Sequence, residues 1–203
     1  MSAFAPNDSP LRPREECQLI VMGASAGALN ALGAVLPLLP RSFRFPIAVV
    51  VHIPPEKKSV LVELFRQRCE LSVLEAEDKM PLQPGTVYFA PPDYHVLIED
   101  EGLLSLSSEE PVQYSRPSID MLFESAAEAL GGSVVGIVLT GASDDGARGL
   151  KAITSAGGLG IVQDPGEAEA SIMPRAALEM SPHAQVFSLS QIADYLRELS
   201  KKS

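Results

Sequence analysis

Short apolar runs, each closed by a turn, constrain the fold of this chain more than any other feature of its sequence. They are rich in β-branched residues and occupy positions 18–22, 47–53 and 134–140, as is typical of parallel strands buried on both faces. After the first run, apolar residues recur at helical spacing: Leu29, Leu32, Val35 and Leu36. This alternation predicts an α/β fold with a doubly wound, mostly parallel sheet and helices on both faces.

The middle of the chain departs from this alternation. Short strand-like runs, separated by Pro- and Gly-containing turns, occur at 71–76, 86–90, 95–99 and 103–107. They predict a small β-hairpin insertion on the parallel core. The length of 203 residues suits one domain. We therefore expect a single domain over residues 17–203, preceded by a Pro-rich flexible tail over residues 1–16.

Charge and composition exclude several classes of function. A formal net charge of −10 argues against nucleic-acid binding and against docking on an anionic membrane. Two cysteines and three scattered histidines form no metal-binding spacing, so we expect no metal site. Residues 1–16 lack the apolar segment of a signal peptide, and no apolar run is long enough to span a bilayer. These features favour a cytoplasmic protein.

Reactive side chains follow three of the predicted core strands. Ser25 comes just after the first strand, His52 ends the second, and Asp144 and Asp145 follow the run at 134–140. The carboxyl ends of parallel strands meet at one edge of the sheet, where such folds bind their ligands. Serine, histidine and aspartate are the residues of a nucleophile–base–orienter relay. Asp145, directly before a glycine, is the better placed of the two carboxylates.

The residues around Ser25 read Gly-Ala-Ser-Ala-Gly over positions 23–27, which fits the G-x-S-x-G elbow between a strand and a helix. Plainer interpretations stay open: Ser25 as a helix cap, His52 as a satisfied core residue, and the Asp-Gly pair as a turn. Nucleotide binding is disfavoured, because the dinucleotide fingerprint needs glycine where Ser25 and Ala28 stand. We interpret His95 as a structural or loop-exposed residue.

An ordered set of short motifs resembles the catalytic domain of the chemotaxis protein-glutamate methylesterases, the CheB family. The resemblance covers roughly residues 18–195, nearly the whole chain. Its segments are Ile20-Val-Met-Gly-Ala-Ser25-Ala-Gly, Val51-His52-Ile-Pro-Pro, Leu74-Glu-Ala-Glu-Asp78, Pro84-Gly85, Tyr88-Phe-Ala-Pro91, Arg116-Pro-Ser-Ile-Asp120, Leu122-Phe123, Gly136-Ile-Val-Leu-Thr-Gly141, Asp145-Gly146-Ala, Gly149-Leu150 and Met173-Pro174-Arg.

The resemblance implies a serine hydrolase that removes methyl groups from glutamate methyl esters on chemoreceptor signalling helices, often with glutamine deamidation. It makes Ser25 the nucleophile, His52 the general base and Asp145 the residue that orients the base. It implies no metal or organic cofactor. The partners expected from it are the methylated cytoplasmic helices of chemoreceptors, with no nucleic acid and no membrane insertion.

Departures from the family pattern lie around the nucleophile. The usual Thr-Gly-Gly after the serine is Ala26-Gly27-Ala28, a common methionine is Ala142, and a frequent glutamine is Val51. These changes bear on substrate preference. We predict the backbone amides of Ala26 and Ala142 as oxyanion donors. Many family members carry an N-terminal receiver domain, and 16 residues are too few to form one.

Two other functions stay open at this point. The altered residues beside Ser25 are compatible with a catalytically weak receptor-binding or scaffolding module. The same relay could also serve an esterase that acts on another protein.

Overall fold

Seven parallel strands form the central sheet of the computed structural model, which describes residues 17–52 and 60–201. The strands are β1 (Leu19–Ala24), β2 (Ile47–Val51), β3 (Ser72–Glu75), β4 (Thr86–Phe89), β7 (Val134–Val138), β8 (Leu159–Gln163) and β9 (Gln185–Phe187). Their spatial order is β3-β4-β2-β1-β7-β8-β9. A separate antiparallel hairpin consists of β5 (His95–Glu99) and β6 (Leu103–Ser107). The predicted doubly wound, mostly parallel sheet is therefore confirmed.

Six α-helices flank the described part of the sheet. They are α1 (Ala28–Val35), α2 (Leu61–Arg66), α3 (Ile119–Leu130), α4 (Ala147–Ser155), α5 (Ile172–Met180) and α6 (Leu189–Lys201). Ser118 caps α3, because its side chain accepts a hydrogen bond from the Met121 amide. Short 3₁₀ turns follow α1 at Leu36–Leu38 and α3 at Gly131–Ser133.

The apolar core is divided between the two faces of the sheet. One face packs against α1, α2 and α6, with Leu32, Phe65 and Leu196 fully buried. The other packs against α3, α4, α5 and the hairpin, with Phe123 and Leu150 among its buried residues. Strand residues alternate between the two clusters, as a sheet covered on both faces requires. Helices therefore cover both faces, as predicted.

Part of the hairpin prediction is wrong. Of the four runs assigned to the insertion, only 95–99 and 103–107 pair as an antiparallel hairpin. The runs at 71–76 and 86–90 contain β3 and β4, which join the main sheet in parallel and pair with each other and with β2. The short spacing of the runs suggested hairpins. The chain between β3 and β4, however, returns to the other end of the sheet, so that both strands run in the same direction.

Not every apolar residue at the helical spacing of α1 is buried. Leu29 is 50 % exposed, whereas Ala28, Ala31, Leu32 and Val35 face the core. The predicted tail at residues 1–16 lies outside the described residues.

The sheet has its topological switch point at β1, which lies between β2 and β7. On one side of β1 the chain forms β2, then the edge strand β3, and then β4 between these two; on the other side it proceeds outward through β7, β8 and β9. In open α/β sheets, ligands bind beyond the carboxyl ends of the strands at this point. The residues directly after β1, β2 and β7 are therefore the candidates for a site.

Candidate active site

The segments that carry the three predicted residues meet at the carboxyl edge of the sheet. Ala24 pairs with Val51 at the end of β1 and β2, and the His52 amide donates to the Ala24 carbonyl at 3.2 Å. On the other side of β1, the Ser25 amide donates to the Thr140 carbonyl at 2.9 Å. Ser25 thus lies between the residue that follows β2 and the loop that follows β7.

The Thr140 hydroxyl stabilises the turn that contains Ser25 through hydrogen bonds. The Thr140 hydroxyl donates to the Ala26 carbonyl at 2.8 Å and accepts from the Ala170 amide at 2.9 Å. Gly27 has φ = +82°, and a Cβ there would lie 2.8 Å from the Cβ of Glu169. Only glycine meets both conditions without strain. The turn therefore places the half-buried Ser25 directly before α1.

His52 and Asp145 are in direct contact, although 93 positions separate them. The His52 Nε2 atom lies 2.7 Å from Asp145 Oδ2. The His52 side chain is 14 % exposed and that of Asp145 is fully buried. Because an ionised carboxylate only accepts hydrogen bonds, Nε2 carries the proton of this pair and Nδ1 holds the free lone pair. The neighbouring Asp144 is exposed and makes no side-chain hydrogen bond to a described residue.

Asp145 accepts three further hydrogen bonds, all from the beginning of α3. Its Oδ1 accepts from the Ser118 hydroxyl and the Asp120 amide, both at 2.9 Å, and its Oδ2 accepts from the Ile119 amide at 2.7 Å. Free amides and the positive end of the helix dipole favour a negative charge there. Burial alone would raise the pKa of Asp145, but the hydrogen bonds from His52 and from these amides outweigh it and lower the pKa.

A buried histidine, His95, accepts a hydrogen bond from the backbone amide of Ser118. His95 lies on β5 and is fully buried. Its Nδ1 accepts from the Ser118 amide at 3.1 Å, and its Nε2 lies 3.3 Å from the Glu110 carbonyl. The first contact requires an unprotonated Nδ1, so Nε2 carries the hydrogen and donates it. His95 is structural, as predicted, but it is buried rather than loop-exposed.

The two amides predicted as oxyanion donors are available. Ala26 and Ala142 are both exposed, and their N–H groups donate to no described residue. The Ser25 amide, by contrast, is occupied by the Thr140 carbonyl. The hydroxyl of Ser25 hydrogen-bonds to none of the described residues, His52 included. Catalytic hydrogen bonds are often long without substrate and tighten only when substrate binds.

No cluster of three or more His, Cys, Asp or Glu side chains suited to a metal ion occurs within residues 17–52 and 60–201. None of the helices described there has the length and apolar character needed to cross a bilayer.

Two residues of the site, Ser118 and Asp120, had no role assigned from the sequence. Ser118 donates to Asp145, and Asp120 binds amides at the beginning of α4. Both lie in the segment Arg116-Pro-Ser-Ile-Asp120, one of the motifs that carry the family resemblance. A serine and an aspartate within one helical turn of an apolar helix indicate a polar contact. No local sequence pattern, however, identifies the partner in that contact.

Comparisons with known proteins lead to one family. The family model described as CheB methylesterase matches residues 20–196. A Leptospira interrogans protein, provisionally named a protein-glutamate methylesterase/protein-glutamine glutaminase, is 44% identical over 186 residues, which are 92% of this chain and 96% of that protein. The protein-glutamate methylesterase FrzG of Myxococcus xanthus is 39% identical over 92% of this chain but only 56% of its own length.

A solved structure leads to the same family. The CheB methylesterase catalytic domain of Thermotoga maritima superposes with a TM-score of 0.86 at 31% identity, covering 90% of this chain and 98% of that domain. A chain with this sheet, this edge and these relatives belongs to the CheB methylesterase family.

Proposed function

We propose that this chain is a protein-glutamate methylesterase, a carboxylic ester hydrolase that works through Ser25, His52 and Asp145. The observation that carries the proposal is the 2.7 Å contact between His52 and the buried Asp145, at the edge where the strand before Ser25 also ends. The names of the relatives in Leptospira interrogans and Myxococcus xanthus support the same reaction.

The base in this mechanism is the Nδ1 atom of His52. Since Nε2 is committed to Asp145, only Nδ1 is free to accept the proton of the Ser25 hydroxyl. Ser25 then attacks the ester carbonyl of a methylated glutamate and forms a tetrahedral intermediate. The proton held on Nδ1 passes to the leaving methoxide, so methanol departs and an acyl-enzyme remains.

The second half of the reaction uses the same atoms. Nδ1 of His52 takes a proton from water, the hydroxide attacks the acyl-enzyme, and the proton returns to Ser25 as glutamate is released. With glutamine as substrate, the leaving group is ammonia instead of methanol, which corresponds to the glutaminase activity named for the Leptospira interrogans relative.

Asp145 and two backbone amides stabilise the charges that develop. Asp145 faces the imidazolium that forms in each step, and its lowered pKa keeps it ionised at neutral pH. The amides of Ala26 and Ala142 serve the negative oxygen of the tetrahedral intermediates. An oxyanion donor of this kind is worth about 10²–10³ in rate.

The substrates in this proposal are the methylated helices of chemoreceptors in the cytoplasm. The catalytic histidine is only 14 % exposed, whereas Ser25 is half-buried and Ala26 and Ala142 are exposed at the carboxyl edge of the sheet. A side chain that projects from a helix can reach such an edge without unfolding of the helix.

A comparison of two serine variants tests the proposal. Ser25→Ala removes the nucleophile and should abolish methanol release from methylated receptor fragments. Ser190→Ala is the matched control, because Ser190 is exposed in the first turn of α6, and it should keep full activity. Methanol release that persists in Ser25→Ala would overturn the proposal.

Labelling with a fluorophosphonate separates the two other candidate functions. Labelling of the wild type but not of Ser25→Ala, without methanol release from receptor fragments, would indicate an esterase for another protein. Absence of both labelling and methanol release would indicate a binding or scaffolding module.

A further inference from the structure

Two buried carboxylates brace α3 and α4 against each other. Asp145, which precedes α4, accepts from the amides of Ile119 and Asp120 at the beginning of α3. Asp120, in the first turn of α3, accepts in return from the amides of Gly146 at 2.9 Å and Gly149 at 2.8 Å at the beginning of α4. Both carboxylates have no solvent exposure. Each helix therefore has its N-terminal amides bound by the acid of the other.

The two glycines that donate to Asp120 allow α4 to come this close. A Cβ at Gly149 would lie 2.5 Å from the Cβ of Phe123 and 3.1 Å from the Cα of Asp120. A Cβ at Gly146 would lie 2.8 Å from Ile119 Cγ2, and Gly146 has φ = +97°. Real side chains do not make contacts of this length without displacing their neighbours. The sequence thus places glycine at the two positions where Asp120 needs free access to an amide.

This bracing bears directly on the reaction proposed above. Gly146 is the residue after Asp145, so the hydrogen bond from its amide to Asp120 fixes the chain on which the Asp145 carboxylate stands. Without that acceptor, two buried amides at the beginning of α4 would have to turn toward water, because an unpaired buried amide is costly. The Asp145 carboxylate would move with them, away from His52.

We propose that Asp120 is a positioning residue of this enzyme: it holds Asp145 in the place from which Asp145 orients His52. The proposal rests on the function proposed above and adds a residue that touches neither the substrate nor the reacting atoms. Arg148 also contacts Asp120, through Nε at 2.9 Å from Oδ2, but its side chain is 51% exposed. The hydrogen bonds that the amides of Gly146 and Gly149 donate to Oδ1, rather than this ion pair, set the position of Asp145.

Three variants separate these contacts. Asp120→Ala removes every acceptor. Asp120→Asn keeps a carbonyl oxygen in the place of Oδ1, which receives both amides, and loses only the contact with Arg148. Arg148→Gln removes the ion pair and leaves Asp120 intact. If the hydrogen bonds from the two amides hold Asp145 in place, Asp120→Ala should lose activity. Asp120→Asn and Arg148→Gln should stay within about threefold of the wild type.

The size of the loss follows from misplacement of Asp145. A displacement of about 1 Å in a catalytic arrangement costs up to about 10²-fold in rate. We expect kcat of Asp120→Ala for methanol release to fall by about 10–100-fold, with KM changed by less than about twofold. The rate of Ser25 labelling by the fluorophosphonate should fall by the same factor, because the probe needs the same base but no receptor.

A spectroscopic measurement reports on the position itself. The proton between His52 Nε2 and Asp145 should give a downfield ¹H resonance in the wild type, in Asp120→Asn and in Arg148→Gln. In Asp120→Ala it should shift or disappear while circular dichroism stays native. A merely structural role would lower the thermal midpoint and leave this resonance and kcat unchanged in the folded fraction.

The outcomes are decisive in each direction. A folded Asp120→Ala with wild-type kcat, or a loss that Arg148→Gln or Asp120→Asn reproduces, overturns the inference. If Asp120→Ala does not fold, Asp120→Ser takes its place, since a hydroxyl reaches at most one of the two amides, and a wild-type kcat in that variant overturns the inference equally. If even the wild type is not labelled by the probe, the proposed function fails instead, and the two failures are thereby distinguished.

Discussion

Asp145→Asn is the substitution whose consequences the structure predicts in most detail. The carboxylate accepts four hydrogen bonds, two at each oxygen. An amide group has only one oxygen, so its NH₂ must replace either Oδ1, where it meets the Asp120 amide, or Oδ2, where it meets the Ile119 amide. Either orientation leaves one buried N–H of α3 facing another donor.

The loss of stability in Asp145→Asn follows from these hydrogen bonds. One charge-assisted hydrogen bond is lost, and one buried donor is left without an acceptor, so we expect the free energy of unfolding to fall by about 2–4 kcal/mol. Catalysis suffers in both orientations. With NH₂ toward His52, the imidazole is held with its proton on Nδ1, the atom that should act as base. With oxygen toward His52, the hydrogen bond remains, but the negative charge that stabilises the imidazolium is gone.

Urea denaturation and methanol release from methylated receptor fragments measure the two effects. We expect kcat to fall by about 10³-fold or more, since the corresponding Asp→Asn change in a Ser-His-Asp triad costs about 10⁴. Asp144→Asn is the matched control, because the side chain of Asp144 is exposed, and it should remain within about twofold of the wild type. Wild-type turnover in Asp145→Asn, or an equal loss in Asp144→Asn, would refute this reasoning.

Two further predictions concern titration and thiol chemistry. Because the pKa of Asp145 in the folded state lies below its ordinary value of 3.8, its stabilising effect is complete above that value and is lost as the pH falls through the folded pKa. In urea titrations at a series of pH values, the stability difference between the wild type and Asp145→Asn should therefore shrink below about pH 4, and a constant difference down to pH 2.5 would contradict this. Burial raises the pKa of Cys69 to about 11, so iodoacetamide at pH 7.5 should leave this thiol unmodified in the folded protein and alkylate it in denaturant, as mass spectrometry of the digested protein would show.

The sequence predicts the sheet and the position of the site well, because both depend on local patterns. Buried parallel strands appear as apolar runs, and residues directly after such strands lie at the ligand-binding edge whatever the loops do. The strand order and the partners of Asp145 are different, since they depend on contacts between segments far apart in the chain. This is why β3 and β4 looked like hairpin strands, although they lie in parallel in the main sheet.

Individual side chains show the same limit. The helical spacing of apolar residues in α1 includes Leu29, but Leu29 is half exposed, whereas Leu32 and Val35 are buried. His95 gave no local signal of burial, because its partners are the Ser118 amide and the Glu110 carbonyl. Only the assembled chain shows that Ser118 joins His95 to Asp145.

One isoleucine, Ile119, packs against two glycines at the carboxyl edge of the sheet. The Cγ2 atom of Ile119 lies 2.3 Å from where a Cβ of Gly23 would be and 2.8 Å from where a Cβ of Gly146 would be. Gly23 is on the strand that leads to Ser25, and Gly146 follows Asp145. Mutational effects at positions 23 and 119 should consequently be strongly non-additive. A smaller residue at 119 makes room for alanine at position 23, whereas alanine at position 146 stays strained because φ there is +97°. Positions 23 and 119 are therefore expected to change together when such domains diverge or are recombined.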